Sequence, residues 1–231
     1  MKKYEKICFL QELLEAKANV NFSGPTGRGP SRGLQCGHVK CVRLLVDGNA
    51  DLELEDEEGV TGLMEAASLE SPECLKVMIG AKADVNHQGD RHLQTGLHWA
   101  CKYGSVECAQ LLIDAKADVF LQCPNGDTGL AVAALEGHND CLKLMIGAVT
   151  TADDPDHLIP STLSHALIRS LTSPAFSVTG REYENATLIT MLLLRAGAVL
   201  QHADIQDLTG QSGARLDYAE QRLVETLRYA N

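Results

Sequence analysis

Cysteine and histidine are the side chains of this 231-residue chain whose spacing could support metal binding or nucleophilic chemistry. Cys36, His38 and Cys41 make a tight group that could begin a zinc site. Structural zinc takes four ligands, however, and no second pair follows at finger spacing, so no metal site is expected. Five cysteines, Cys8, Cys41, Cys74, Cys108 and Cys141, fall 33, 33, 34 and 33 residues apart. That register marks one structural position used repeatedly. Each heads an apolar run such as CVRLLV, CLKVMI, CAQLLI or CLKLMI, where a small buried thiol packs well. Cys101 aligns with Ala67 and Ala134 in a small-residue slot. The common catalytic signatures are missing: no G-x-S-x-G elbow, no P-loop, no H-E-x-x-H, no G-x-G-x-x-G between a strand and a helix. The chain is expected to be no enzyme and to carry no cofactor.

The elements that would hold these residues follow from a repeat. Residues 61–160 state one pattern three times, opening at Thr61, Thr95 and Thr128, which are 34 and 33 residues apart. Within a copy, Thr95 is an N-cap, Leu97, Ala100 and Cys101 form an apolar stripe at helical spacing, and Gly104 stops the helix. A second helix runs from about Val106 to Ala115, followed by the turn chemistry of AKADVFLQCPNGD. Two short helices and a loop cannot bury their own apolar faces. Neighbours must stack, giving an all-α solenoid.

Charge and composition bound the partners. The formal net charge is -11, which disfavours a nucleic-acid backbone and suits a protein with a basic surface. The N-terminal apolar residues are interrupted by Glu5, Lys6, Gln11 and Glu12, so no export signal fits, and no apolar run approaches the ~18 residues a membrane helix needs. Reduced thiols in an intracellular setting, cytoplasmic or nuclear, are expected. Aromatic residues are only 4% of the chain, with one Trp, so aliphatic side chains must supply the core.

The repeats resemble the ankyrin repeat, whose pattern is roughly D-x-x-G-x-T-P-L-H-x-A-A-x-x-G-H, then a Leu-rich helix and G-A-D-V-N. Asp56, Gly59, Thr61, Leu63, Ala66 and Ala67 match it, as do Thr95, Leu97, His98, Ala100 and Gly104, then Gly137 and His138, and the ending Ala83, Asp84, Val85 and Asn86. The resemblance implies an ankyrin-repeat solenoid of about six partial or complete repeats, with His98 bracing the stack. It covers about three quarters of the chain. Gly62, Gly96 and Gly129 replace the family's Pro, which is expected to weaken each repeat by about 0.5–1 kcal/mol.

The organisation read this way is a single array over residues 1–231. Residues 1–21 are a half repeat or N-terminal cap. Residues 22–55 are a degenerate repeat whose Gly/Pro-rich first half (SGPTGRGPSRG) cannot be a regular helix. Residues 56–89, 90–122 and 123–155 are repeats. Residues 156–203 are a repeat restarting at Ser161, with an inserted loop at about 171–185, and 204–231 form a C-terminal cap. The chain is expected to be a monomer or part of a longer protein.

The resemblance implies that a partner protein docks on the concave face, made of first helices and loop tips. First-helix positions expected to face solvent are Glu65 and Leu69, then Trp99, Lys102 and Tyr103, then Val132 and Glu136; tip residues are Glu57, Glu58, Arg91, His92 and Asn125. Trp99 is either a docking residue or a packing residue that shields the stack. The acidic run ELEDEE, residues 53–58, is either a solvated loop or a handle for a basic partner. The function expected is a scaffold or adaptor that binds a protein. Two alternatives are a targeting segment of a larger enzyme or ubiquitin-ligase substrate receptor, and a structural spacer.

Overall fold

The computed structural model describes residues 39–152, 158–172 and 181–198. Among these residues the chain is helical, with α1 (Val39–Asp47), α2 (Gly62–Ser68), α3 (Pro72–Gly80), α4 (Gly96–Tyr103), α5 (Val106–Asp114), α6 (Gly129–Glu136), α7 (Asn139–Thr151), α8 (Ile159–Thr172) and α9 (Arg181–Arg195). The expected helix–helix–loop unit recurs from Thr61 onward. The expected N-terminal cap, most of the degenerate repeat's first half and the C-terminal cap lie outside the described residues, as do Cys8, Cys36 and His38.

Local chemistry sets the helix ends. Thr61 and Thr128 each sit in extended backbone and accept from the amide three residues on, Met64 and Ala131. Thr95 does the same for His98 N–H, and His98 Nδ1 accepts in return from Thr95 N–H at 3.2 Å. This reciprocal pair is a capping box with imidazole in place of the usual carboxylate. Gly104 and Gly137, at φ +74 and +81, stop α4 and α6 in the left-handed region. The second helices end alike: the amides of Ala50, Ala83, Ala117 and Ala198 reach back to Leu45, Met78, Leu112 and Leu193 carbonyls. The left-handed residue before each is Asn49, Lys82, Lys116 or Gly197.

The chain divides into two compact units, Met1–Ala100 with Glu107–Asp118, and Cys101–Val106 with Val119–Asn231. In the first, α3 packs on α1 and α2. Its fully buried side chains include Met64, Leu75, Met78, Leu97 and Leu112. The hairpin-like tips stack there through backbone and carboxylates. Glu53 accepts from Asp84 N–H at 2.8 Å, Asn86 accepts from Asp118 N–H at 2.8 Å, and Glu55 bonds the His87 ring at 2.7 Å. In the second unit α6 packs against α7 and α8, and α9 against α7 and α8, around Leu130, Leu142, Met145, Leu167, Ile189 and Leu193.

Cys41, Cys74, Cys108 and Cys141 each occupy the third residue of a second helix, and all four are buried free thiols. The repeat-phase reading of these cysteines thus matches their positions in the core.

Two expectations need correction. The loop expected at about 171–185 is helical at 171–172 and again from Arg181; residues 173–180 lie outside the described residues. α8 also begins at Ile159, ahead of Ser161, whose hydroxyl donates to Leu158 carbonyl. Ser, Thr, Pro and Gly lower helix propensity, but burial of Leu167 against the α8–α9 pair outweighs tenths of a kcal/mol per residue. The second correction concerns glycine. A Cβ at Gly96 would meet Leu63 Cδ2 inside the first unit's core, so any larger residue there, proline included, needs the end of that buried side chain to shift.

Candidate functional site

The expected docking residues sit on three first helices and three tips. In the first unit, α2 carries Glu65 half-buried and, at its C-cap, Leu69 with 44% exposure. The two are four residues apart, so they share one helix face. Glu57 and Glu58 are exposed on the tip that leads into α2. Asp56 organises that tip, its Oδ1 accepting from Glu58 N–H at 2.9 Å and Val60 N–H at 3.0 Å. Arg91 and His92 are exposed on the next tip. That tip also presents exposed Leu93 at φ +46. Trp99 is half-buried on α4.

The second unit begins within the last turn of α4. Lys102 and Tyr103 are both exposed, Tyr103 to 44%, and Lys102 Nζ stands 5.8 Å from the Tyr103 ring centroid, within cation–π range. His138 holds this end of the helix. Its Nε2 bonds Lys102 carbonyl at 3.0 Å, and since a carbonyl only accepts, that nitrogen carries the proton. The imidazole also occupies the space beside Gly104, where a Cβ would lie 2.8 Å from Nδ1. Asn125 and Glu136 are exposed as expected.

Val132 is not where the sequence places it. It is 6% exposed, within a helix where residues 129–134 are all buried. α6 is covered by both α7 and α8, so it has less free face than a helix of one amphipathic stripe. Val132 therefore belongs to the core and drops out of the surface strip. The signal was available: GLAVAAL is apolar all round, and such a helix is buried on more than one side.

Sequence reasoning also missed the electrostatics of Glu65. Its carboxyl is held above the ordinary carboxylate range, first by burial and second by the neighbouring Asp56 charge. Several other acids have partners within the fold. Lys76 lies 2.7 Å from Glu73, whose carboxyl it pulls down, and Glu53 and Glu55 serve His87 and backbone amides. Asp127, with a side chain 6% exposed, receives His165 Nε2 at 2.9 Å and lies 2.8 Å from Arg169 Nε. The described residues contain no group of three or more metal-ligating side chains.

The family model for ankyrin repeats (3 copies) matches residues 3–89 and 63–156, more than half of the chain. The chain belongs to the ankyrin-repeat family. No curated protein matches it at a significant level. Ankyrin repeats are generally protein–protein interaction modules. His98, expected to brace the ankyrin stack, is 2% exposed and bonds Thr95 of its own repeat, a structural placement. No described helix is long and apolar enough to cross a membrane.

Proposed function

We propose that this ankyrin array is a non-catalytic scaffold or adaptor that binds an intracellular protein through the outer faces of its first helices. The observation that carries the reading is the lone Trp99 of the chain, only half-buried, followed one turn later on α4 by exposed Tyr103 with Lys102 beside it. Aromatic rings with a polar handle are the side chains that dominate interface energies, and a half-exposed Trp has area left to bury. Leu69 on α2 supplies exposed apolar area on a second first helix. Glu57 and Glu58 on one unit and Glu136 on the other are exposed acids, and the net charge of -11 favours a basic partner surface. Arg91, His92 and Asn125 are tip contacts of a more adaptable kind.

Affinity capture with wild-type protein, followed by direct binding measurements on the recovered partner, tests this. Tyr103→Ala and Trp99→Ala are each expected to weaken binding by roughly 30-fold, the effect of losing an aromatic anchor of about 2 kcal/mol. Glu57→Lys with Glu58→Lys is expected to slow association and leave dissociation nearly unchanged. Circular dichroism separates lost binding from lost folding for Trp99→Ala. A folded Trp99→Ala and Tyr103→Ala pair that both retain wild-type affinity would overturn the first-helix reading.

A further inference from the structure

We propose that Asn125 is a self-modifying residue: it deamidates through the Gly126 nitrogen to isoaspartate, and the altered tip then loosens its hold on α8. The modification is independent of which partner the array binds.

The chemistry starts in the sequence. Of the asparagines in the chain, Asn125 alone is followed by glycine. Deamidation requires the main-chain nitrogen of the next residue to reach the carbonyl carbon of the Asn side chain, and a side chain on that next residue stands in the way. Asn49, Asn86 and Asn139 precede Ala50, His87 and Asp140 and carry this hindrance. Asn86 is held further, because its Oδ1 accepts from Asp118 N–H at 2.8 Å. At Asn125 the Gly126 nitrogen, on losing its proton, bonds to Cγ; the Cγ–Nδ2 bond breaks and ammonia leaves. Water then opens the five-membered imide at one of its two carbonyls, giving aspartate or isoaspartate. Water is the only co-reactant, and nothing is oxidised or reduced.

The tip decides when this can happen. Pro124 and Asn125 are exposed, but in the closed tip the attacking nitrogen is engaged: Gly126 N–H donates to Cys123 carbonyl at 2.8 Å, and Cys123 N–H donates to Asp127 carbonyl at 3.0 Å. Gly126, at φ +77, fills the left-handed position of this three-residue hairpin loop. Attack therefore waits for a local opening that breaks these backbone bonds and leaves the helices folded.

The product does not fit the closed tip. Isoaspartate routes the main chain through Cβ and Cγ, so one more carbon lies inside the loop that the Cys123–Asp127 bond closes. Asp127, just beyond, is buried and meets two side chains of α8, receiving His165 Nε2 at 2.9 Å and lying 2.8 Å from Arg169 Nε. A Cβ on Gly126 would stand 3.8 Å from His165 Cε1, so the glycine also lies against α8. The added carbon puts Asp127 out of register with both partners.

The test ages the full chain at neutral and mildly alkaline pH and maps each asparagine by peptide mass spectrometry, with electron-transfer fragmentation to tell isoaspartate from aspartate. Conversion, a gain of one mass unit, is expected at Asn125 ahead of Asn49, Asn86 and Asn139, and faster at the higher pH. Asn125→Gln should suppress it, since the longer side chain must close a slower six-membered ring. The folded chain should convert at least about tenfold more slowly than a synthetic peptide of residues 121–129, because the tip must open first. Hydrogen exchange of α8 should quicken in step with isoaspartate content. It should stay at the fresh-protein rate in aged Asn125→Gln and in Asn125→Asp, which adds the charge without the extra main-chain carbon. An aged chain in which Asn125 is intact, or converts no faster than the other asparagines, refutes the site. Equal rates in folded chain and peptide refute the gating by the tip. Exchange of α8 that is unchanged in isoaspartate-bearing protein, or equally quickened by Asn125→Asp, refutes the loosening.

Discussion

Lys82 and Lys116 occupy a backbone position that their own Cβ atoms oppose, at φ +65 and +67, where the ankyrin pattern has Gly. A left-handed residue other than Gly costs about 1–2 kcal/mol, partly recovered by its smaller unfolded-state entropy. Lys82→Gly is therefore expected to stabilise the protein by about 0.5–1 kcal/mol in denaturant unfolding. Gly96→Pro should do the opposite of what family consensus implies, destabilising the array because Leu63 already fills the space. Glu65 supplies a pH prediction whose sign follows from its raised carboxyl. The folded state holds the proton more tightly than the unfolded chain, so stability from this group is greatest at acid pH and declines as pH rises through the folded pKa. Glu65→Gln should consequently be slightly stabilising at neutral pH, by less than about 1 kcal/mol given solvent screening, with the gain vanishing below the ordinary carboxylate range. The thiols belong to this scale too. Burial, with Cys141 nearby, pushes Cys101 well above the usual thiol range, and burial, with Cys41 and Glu73 nearby, raises Cys74. Both are buried and should resist alkylation until the repeats open, which mass spectrometry of pulse-labelled protein would read.

Among the helices, α8 departs most from the repeat pattern, running 14 residues against the eight of α6. Its attachment includes a charge cluster: His165 and Arg169, one turn apart, both reach Asp127 on the tip before α6. Arg169 Nε lies 2.8 Å from the carboxylate, so Coulomb attraction contributes to that contact. Asp127→Asn keeps the shape and removes the charge. The two basic partners are about one-third exposed, so the expected cost is about 1–2 kcal/mol rather than that of a fully buried pair. Hydrogen exchange should quicken in α8 and leave α3 unchanged.

Across the whole chain, stability comes from stacked repeats whose interfaces are between neighbours, and such arrays need not unfold as one. Trp99 reports by fluorescence on its own repeat, while circular dichroism reports on every helix. The two probes are expected to give denaturant midpoints that do not coincide. Superimposable transitions would show that the repeats unfold as a single cooperative block.

Much of this was determined by residues acting on their near neighbours in sequence. Thr61, Thr95 and Thr128 cap helices, Gly104 and Gly137 end them, and the cysteine register marks the second helices, because caps, stops and 33–34-residue spacing depend on local backbone and repetition. The exposure of Leu69, Tyr103, Glu57 and Arg91 was legible for the same reason. The tertiary structure decided what depends on a second element. α6 lies under α7 and α8, which buries Val132; Leu63 closes on Gly96; and the α8–α9 pair carries helix into residues whose composition reads as loop. Glu65 is the clearest case. Its position on α2 follows from the repeat, but the charge it keeps depends on how much water the fold removes and on Asp56 arriving from the preceding tip, and no periodicity encodes that.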